Sequence, residues 1–167
     1  PWPQDMEVYE LAAEHIGAVF SPRYANAEKL RHRSVMDLYR EPLLCTSSRP
    51  QAWRQWAAAK GLDFAGLSCG QTFEHLYFML EAAVAGLGVA IAPQQLITDD
   101  LRMGRLVAPW GFVATTARLS LWVPRRNQDS RAALLAPWLN LAFSVQGPSY
   151  IPIRRPFLSS PWTSVPT

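Results

Sequence analysis

Short apolar segments with the pattern of β-strands alternate with short amphipathic helical segments along most of this chain. The strand pattern occurs at residues 11–20, 43–46, 64–68, 89–92, 105–107 and 118–123. Helical spacing of apolar residues occurs at residues 27–40, 50–60, 72–87, 96–103 and 129–143. Strands that alternate with helices form largely parallel sheets covered by helices. The order of segments therefore predicts an α/β fold.

Glycine and proline predict where these segments end. Gly61 and Gly104 stand where left-handed helix caps are expected, and Pro137 should kink or split the last helix. Gly86 and Gly88 form a G-x-G sequence that follows a helix and precedes a strand, which is the reverse of the dinucleotide-binding order. We therefore interpret them as cap and turn glycines. Residues 144–167 contain five prolines without a periodic apolar face, and this composition predicts a disordered tail.

The composition excludes several classes of protein. The 167 residues include 16 basic and 13 acidic side chains without a dense basic block, so charge gives no reason to expect nucleic-acid contact. The longest apolar stretch, residues 76–93, is interrupted by Glu81 and two glycines, which argues against a membrane span. The first residues lack the features of a signal peptide.

The cysteines and histidines define no metal or nucleophile site by their spacing. Cys45 and Cys69 lie far apart without a partner at metal-ligand spacing, so we expect reduced, buried thiols in a reducing compartment rather than a disulfide. His75, beside Glu74 at a predicted helix start, is the least weak candidate for acid–base chemistry. A histidine near solvent at a helix start is the better interpretation. No metal, cofactor or catalytic residue is predicted.

Polar residues follow two of the predicted strands. Residues 46–49 (Thr-Ser-Ser-Arg) and residues 70–72 (Gly-Gln-Thr) are both expected between a strand and a helix, where open α/β sheets place ligand contacts. Hydroxyl groups, helix-start amides and one arginine suit a small anion such as a carboxylate. An equally good interpretation is that Ser48 and Thr72 serve only as N-caps of the helices that follow them. Trp53 and Trp56, in the helix between them, are predicted to be core residues.

Three segments resemble the effector-binding domain of LysR-type transcriptional regulators. They are IGAVFSP at residues 16–22, LLCTSSRPQAW at residues 43–53 and AAVAGLGVAIAP at residues 82–93. The similarity continues through residues 99–107 and 119–126 and covers about residues 1–143. The SSRPxAW sequence is most similar to the subgroup of the glycine-cleavage activator and the β-lactamase regulator.

The resemblance implies a periplasmic-binding-protein-like (type 2) fold with two α/β lobes, of which the second is complete and the first only partial. Residues 1–10 would be a remnant of the first lobe, residues 11–20 and 117–123 the crossing strands, residues 21–116 the second lobe, and residues 124–143 would close the first lobe. An effector would bind in the cleft between the lobes. DNA would be bound only through an N-terminal winged helix-turn-helix that this sequence lacks.

The same resemblance implies a cytoplasmic regulator without enzymatic activity, cofactor or membrane contact, which forms dimers or tetramers when complete. The residues expected to bind a small, anionic effector are Thr46, Ser47, Ser48, Arg49, Thr72 and Phe73, with Ser21 as a weaker candidate. The alternatives are a transporter's solute-binding protein and an enzyme of the same architecture. For the enzyme, Cys69 near Gln71 is the only candidate reactive group.

Overall fold

The computed structural model describes residues 5–32, 34–125 and 130–144, the side chains of residues 130–134 and 144 excepted. The strands are β1 (Met6–Val19), β2 (Leu43–Thr46), β3 (Cys69–Phe73), β4 (Val89–Pro93) and β5 (Phe112–Pro124). The α-helices are α1 (Ala27–Arg31), α2 (Ala52–Ala59), α3 (Leu76–Val84), α4 (Thr98–Arg102) and α5 (Ser130–Ser144). Short 3-10 helices occur at Val35–Arg40, Phe64–Gly66 and Gln94–Leu96. Of the predicted tail, residues 145–167 lie outside the described residues, and Ser144 is the last residue of α5.

The chain divides into two compact units. The larger unit comprises Ala12–Ser120, and the smaller unit combines the residues up to Leu11 with those from Leu121 onward. Within the smaller unit, the amide of Arg125 donates a hydrogen bond to the carbonyl of Asp5 at 2.9 Å, and Ala136 of α5 is buried. None of the helices described is long and apolar enough to cross a membrane.

One five-stranded sheet has the order β3-β2-β4-β1-β5. Strand β2 is parallel to β3 and β4, whereas β1 is antiparallel to β4. Thr46 pairs with Phe73 at the ends of β2 and β3, and Ile16 of β1 pairs with Pro93 at the end of β4. The ends of β2, β3 and β4 therefore share one edge with the β1 residues around Ile16. We call it the carboxyl edge.

The two faces of the sheet carry separate hydrophobic clusters. Val89 and Ile91 of β4 belong to the cluster that includes Trp53 and Trp56 of α2. Ala90 and Ala92 belong to the cluster formed with α3 and α4. Every residue of β4 is buried, because side chains alternate between faces and both faces are covered. The prediction of a strand covered on both faces is confirmed.

Several predicted elements are found where the sequence placed them. Strand β2 has the expected bounds, α2 is followed by Gly61 with φ +70°, and Gly104 with φ +67° follows α4. Trp53 and Trp56 are 3% and 0% exposed, which confirms that they are core residues.

Pro137 does not split α5, which runs continuously through it. Residues 105–107 form only an isolated bridge, between Val107 and Phe20.

The predictions for residues 64–75 are wrong. The expected strand at 64–68 is a 3-10 turn, in which the Asp63 carboxylate accepts a hydrogen bond from the Ala65 amide at 2.9 Å. The strand lies instead at Cys69–Phe73, and α3 begins only at Leu76. Gly70 has low strand propensity and the segment lacks an alternating apolar pattern, but backbone pairing with β2 fixes it in the sheet. Tertiary pairing here outweighs local propensity.

The two buried tryptophans differ in their polar atoms, and this difference predicts unequal mutational costs. Trp53 Nε1 donates to the carbonyl of Leu44 at 3.0 Å, whereas Trp56 Nε1 has no partner among the described residues. Both Phe variants lose similar volume, but only Trp53→Phe also removes a buried hydrogen bond. We expect Trp53→Phe to cost about 1 to 2 kcal/mol more than Trp56→Phe in urea unfolding. Equal losses would contradict this explanation.

Candidate anion-binding site

The turn that follows β2 is organised by its hydroxyl groups. Thr46 is 4% exposed, and its Oγ1 lies 2.9 Å from Ser48 Oγ. The Ser48 amide donates to Thr46 Oγ1 at 3.4 Å, and the Arg49 amide donates to the Thr46 carbonyl at 3.3 Å. These contacts fold residues 46–49 into a compact turn that places the Arg49 side chain at the carboxyl edge.

Ser47 joins this turn to the end of β3. Its amide donates to the Phe73 carbonyl at 2.9 Å, and its hydroxyl lies 3.4 Å and 3.3 Å from the carbonyls of Phe73 and Glu74. Parallel neighbouring strands end at the same edge, so the residues after β2 and β3 come together as their topology requires. Residues 46–49 therefore meet the backbone after Phe73, whereas the expected polar turn at residues 70–72 is part of strand β3.

Arg49 is paired with an acidic side chain. Its Nη2 donates to Glu14 Oε2 at 2.5 Å, and the Thr115 hydroxyl donates to the same oxygen at 3.1 Å. The side chains of Arg49 and Glu14 are 26% and 17% exposed. Glu14 lies on β1, two residues before Ile16, and Thr115 lies on the adjacent strand β5. All three residues belong to the unit Ala12–Ser120.

The interpretation of Ser48 and Thr72 as helix caps is wrong. The residue that precedes α2 is Gln51, and the residue that precedes α3 is His75, neither with a side-chain cap. Ser48 instead contacts Thr46. The hydroxyls at residues 46–48 therefore have no helix-capping role and instead contact one another and the backbone after β3.

Three of the predicted site residues, Thr72, Phe73 and Ser21, lie outside the Thr46–Arg49 turn. Thr72 is an exposed residue inside β3, paired with Cys45, and strand alternation points it to the face opposite that of Phe73. Phe73 is half-buried and contributes its carbonyl oxygen to Ser47. Ser21 is 1% exposed, and its Oγ accepts from the Arg23 amide at 3.2 Å. It follows β1 at the sheet edge opposite the carboxyl edge, so it is not brought together with Arg49.

Sequence reasoning missed Glu14 and Thr115. A signal for Glu14 was present, because residues 14, 16, 18 and 20 share one face of β1, and Ile16, Ala18 and Phe20 are buried core residues. A carboxylate on the core-facing side of a strand requires a partner. No local pattern marks Thr115, whose position depends on the pairing of β1 with β5.

The expectation of two reduced, buried thiols is also wrong. Cys45 of β2 and Cys69 of β3 form a disulfide with a Cα–Cα distance of 5.8 Å, and Cys69 is exposed. Neither sulfur is therefore a free nucleophile in this state. Among the residues the structure describes, no group of three or more His, Cys, Asp or Glu side chains could hold a metal ion.

A second polar cluster lies in a groove formed by α1 and the 3-10 helix Val35–Arg40. Its lining residues are Asn26, Lys29, Leu30, Asp37, Arg40 and Glu41. The Tyr24 hydroxyl donates to Glu41, and the Asn26 amide group donates to the same carboxylate at 3.0 Å. Burial raises the pKa of Tyr24, and the hydrogen bond and charge of Glu41 raise it further. Tyr24 therefore remains a protonated donor at neutral pH.

Solved structures identify the class of fold. The effector-binding domain of AmpR from Citrobacter freundii superposes with a TM-score of 0.67 at 24% identity, covering 86% of this chain and 70% of that chain. The effector domain of AmpR from Pseudomonas aeruginosa gives a TM-score of 0.65 at 25% identity, with coverages of 87% and 68%. The chain therefore has the periplasmic-binding-protein-like (type 2) α/β fold that its sequence predicted.

Sequence comparison then gives the family. The model of the LysR substrate binding domain matches residues 1–141, and the chain belongs to this family. The regulator TrpI of Pseudomonas aeruginosa is 60% identical over 139 residues, which are 83% of this chain and 47% of TrpI. The glycine cleavage system transcriptional activator of Escherichia coli K12 is 33% identical over 112 residues, 67% of this chain and 36% of that protein. The subgroup suggested by the SSRPxAW sequence is thus a weaker match. The chain spans half or less of each relative.

Proposed function

We propose that this chain is the effector-sensing portion of a LysR-type DNA-binding transcriptional regulator. It would bind a small anionic metabolite in the cleft between the lobes and mediate assembly into dimers or tetramers. Binding would shift the population of oligomer arrangements through a difference in affinity between them. DNA would be contacted through a winged helix-turn-helix domain outside this sequence, in the cytoplasm.

Two findings support this proposal. The family match covers most of the chain, and the relatives matched are named as transcriptional regulators or activators. The relatives favour a regulator over a solute-binding protein or an enzyme, so we propose no catalytic chemistry for the chain. A small-molecule effector is consistent with the family's description as a substrate-binding domain.

The observation that carries the site assignment is the arrangement of residues 46–49 at the carboxyl edge. Three hydroxyl groups and one guanidinium lie within a single turn, and the helix that follows does not use the hydroxyls as caps. In α/β sheets, ligands bind outside the carboxyl ends of the strands. Arginine binds carboxylate and phosphate groups through charge-assisted, often bidentate hydrogen bonds. This turn is therefore our proposed contact for the acidic group of the effector.

Replacing Arg49 tests this assignment. We expect Arg49→Ala to weaken the binding of inorganic phosphate to the 167-residue chain about ten- to a hundredfold, because one charge-assisted contact is lost. Binding is measured by NMR titration of the amides of Ser47, Ser48 and Arg49. Arg31→Ala is the matched control, since Arg31 lies on the exposed side of α1 and has only a 3.9 Å contact with Glu28. Equal phosphate affinity in both variants would remove Arg49 from the site.

A further inference from the structure

Glu14 is the acidic residue closest to the proposed anion contact. Its Oε2 accepts hydrogen bonds from Arg49 Nη2 at 2.5 Å and from the Thr115 hydroxyl at 3.1 Å. The two charged side chains are 17% and 26% exposed, so water screens the pair less than it would a surface pair. The guanidinium therefore has an internal anionic partner when no ligand is bound.

This pairing changes what a ligand must supply. An anion that takes Arg49 away from Glu14 leaves a largely buried carboxylate that still accepts the hydrogen bond from Thr115. Separating a buried ion pair is unfavourable unless the released charge is compensated. A ligand that also carries an N–H, ammonium or hydroxyl group can compensate it. A carboxylate has about four acceptor positions, so Glu14 can accept such a donor while keeping the Thr115 bond.

We infer that Glu14 determines the specificity of this site, and that the site selects anions that carry a hydrogen-bond donor next to their acidic group. A simple anion faces the negative charge of Glu14 together with the positive charge of Arg49. A ligand with both an anionic group and a hydrogen-bond donor replaces the Arg49–Glu14 ion pair with one contact to Arg49 and one contact to Glu14. This inference rests on the proposed function, because it requires an anion to bind at Arg49.

Acetate and glycine provide the test, because they share a carboxylate and differ in an ammonium group. NMR titration of the 167-residue chain, followed at the amides of residues 47–49, gives both affinities for the native chain and for Glu14→Gln. We expect the native chain to bind glycine at least about tenfold more tightly than acetate. In Glu14→Gln we expect acetate binding to strengthen and glycine binding to weaken, so that the preference disappears. The glutamine side chain keeps a neutral oxygen for Arg49 at nearly the same volume.

Glu28→Gln is the matched control, because it removes the same charge from a side chain that is 82% exposed on α1. It should leave both affinities unchanged. A glycine preference that persists in Glu14→Gln, or no preference in the native chain, would overturn the assignment of specificity to Glu14 alone. No shift at residues 47–49 with either probe, in any variant, would instead overturn the proposed anion site and this inference with it.

Discussion

Reducing the disulfide between Cys45 and Cys69 should lower the free energy of unfolding of the chain by about 3.5 kcal/mol. The bridge joins residues separated by 24 positions in sequence and links β2 to β3. In the chain-entropy model, a closed loop of this size restricts the unfolded state by roughly that amount. Urea unfolding, followed by tryptophan fluorescence with and without a thiol reductant, measures the difference directly.

Cys69→Ser provides the control for this experiment. Cys69 is exposed, so serine introduces no buried polar group at that position, whereas Cys45 is only 8% exposed. The variant should have the stability of the reduced chain and should not respond to the reductant. If oxidised and reduced chains unfold at the same urea concentration, then the bridge does not stabilise the fold.

The general fold could be predicted because residues within or next to β2, β4 and α2 indicate where these elements lie. β4 is a continuous apolar segment, β2 is apolar up to Thr46, and α2 begins after a proline and ends before Gly61. Strand β3 could not be predicted in the same way. Its sequence, Cys-Gly-Gln-Thr-Phe, contains a glycine and no alternation of apolar and polar residues, and the segment is held by pairing with β2. Non-local pairing of this kind leaves no periodic pattern in a short segment.

The disulfide was missed for the same reason. Cys69 can reach Cys45 only because β3 starts at Cys69 and pairs in parallel with β2. The predicted strand at residues 64–68 would have left Cys69 in the turn that follows it. An error in the position of one strand therefore became an error about the chemistry of both sulfur atoms.

The candidate site was predictable only in part. The Thr46–Arg49 turn follows a strand that the sequence locates well, so its place at the carboxyl edge could be expected. The partner of Arg49 could not, because Glu14 lies 35 residues earlier in the chain and depends on the antiparallel pairing of β1 with β4. Whether an arginine is available to a ligand depends on such distant neighbours as much as on its own turn.

Gly88 was interpreted from the sequence as a cap or turn glycine, and the structure gives it another role. Gly86 has φ +86° and does end α3, but Gly88 has no positive φ. A Cβ atom at Gly88 would lie 2.5 Å from the carbonyl oxygen of Pro42 and 3.2 Å from two side-chain carbons of Leu44. The same Pro42 carbonyl accepts a hydrogen bond from the Val89 amide at 3.1 Å. Glycine is therefore required here for the close approach of β4 to β2.

We expect Gly88→Ala to lower the free energy of unfolding by about 3 kcal/mol, because the clash is with backbone and can be relieved only by moving β4 away from β2. The matched control is Gly70→Ala in β3, where the nearest atom to an added Cβ is the Pro42 Cβ at 3.4 Å, an ordinary contact. That variant should change stability by less than about 1 kcal/mol, since alanine also restricts the unfolded chain. Urea unfolding of both variants separates the two effects. Similar stabilities would contradict the close approach at Gly88.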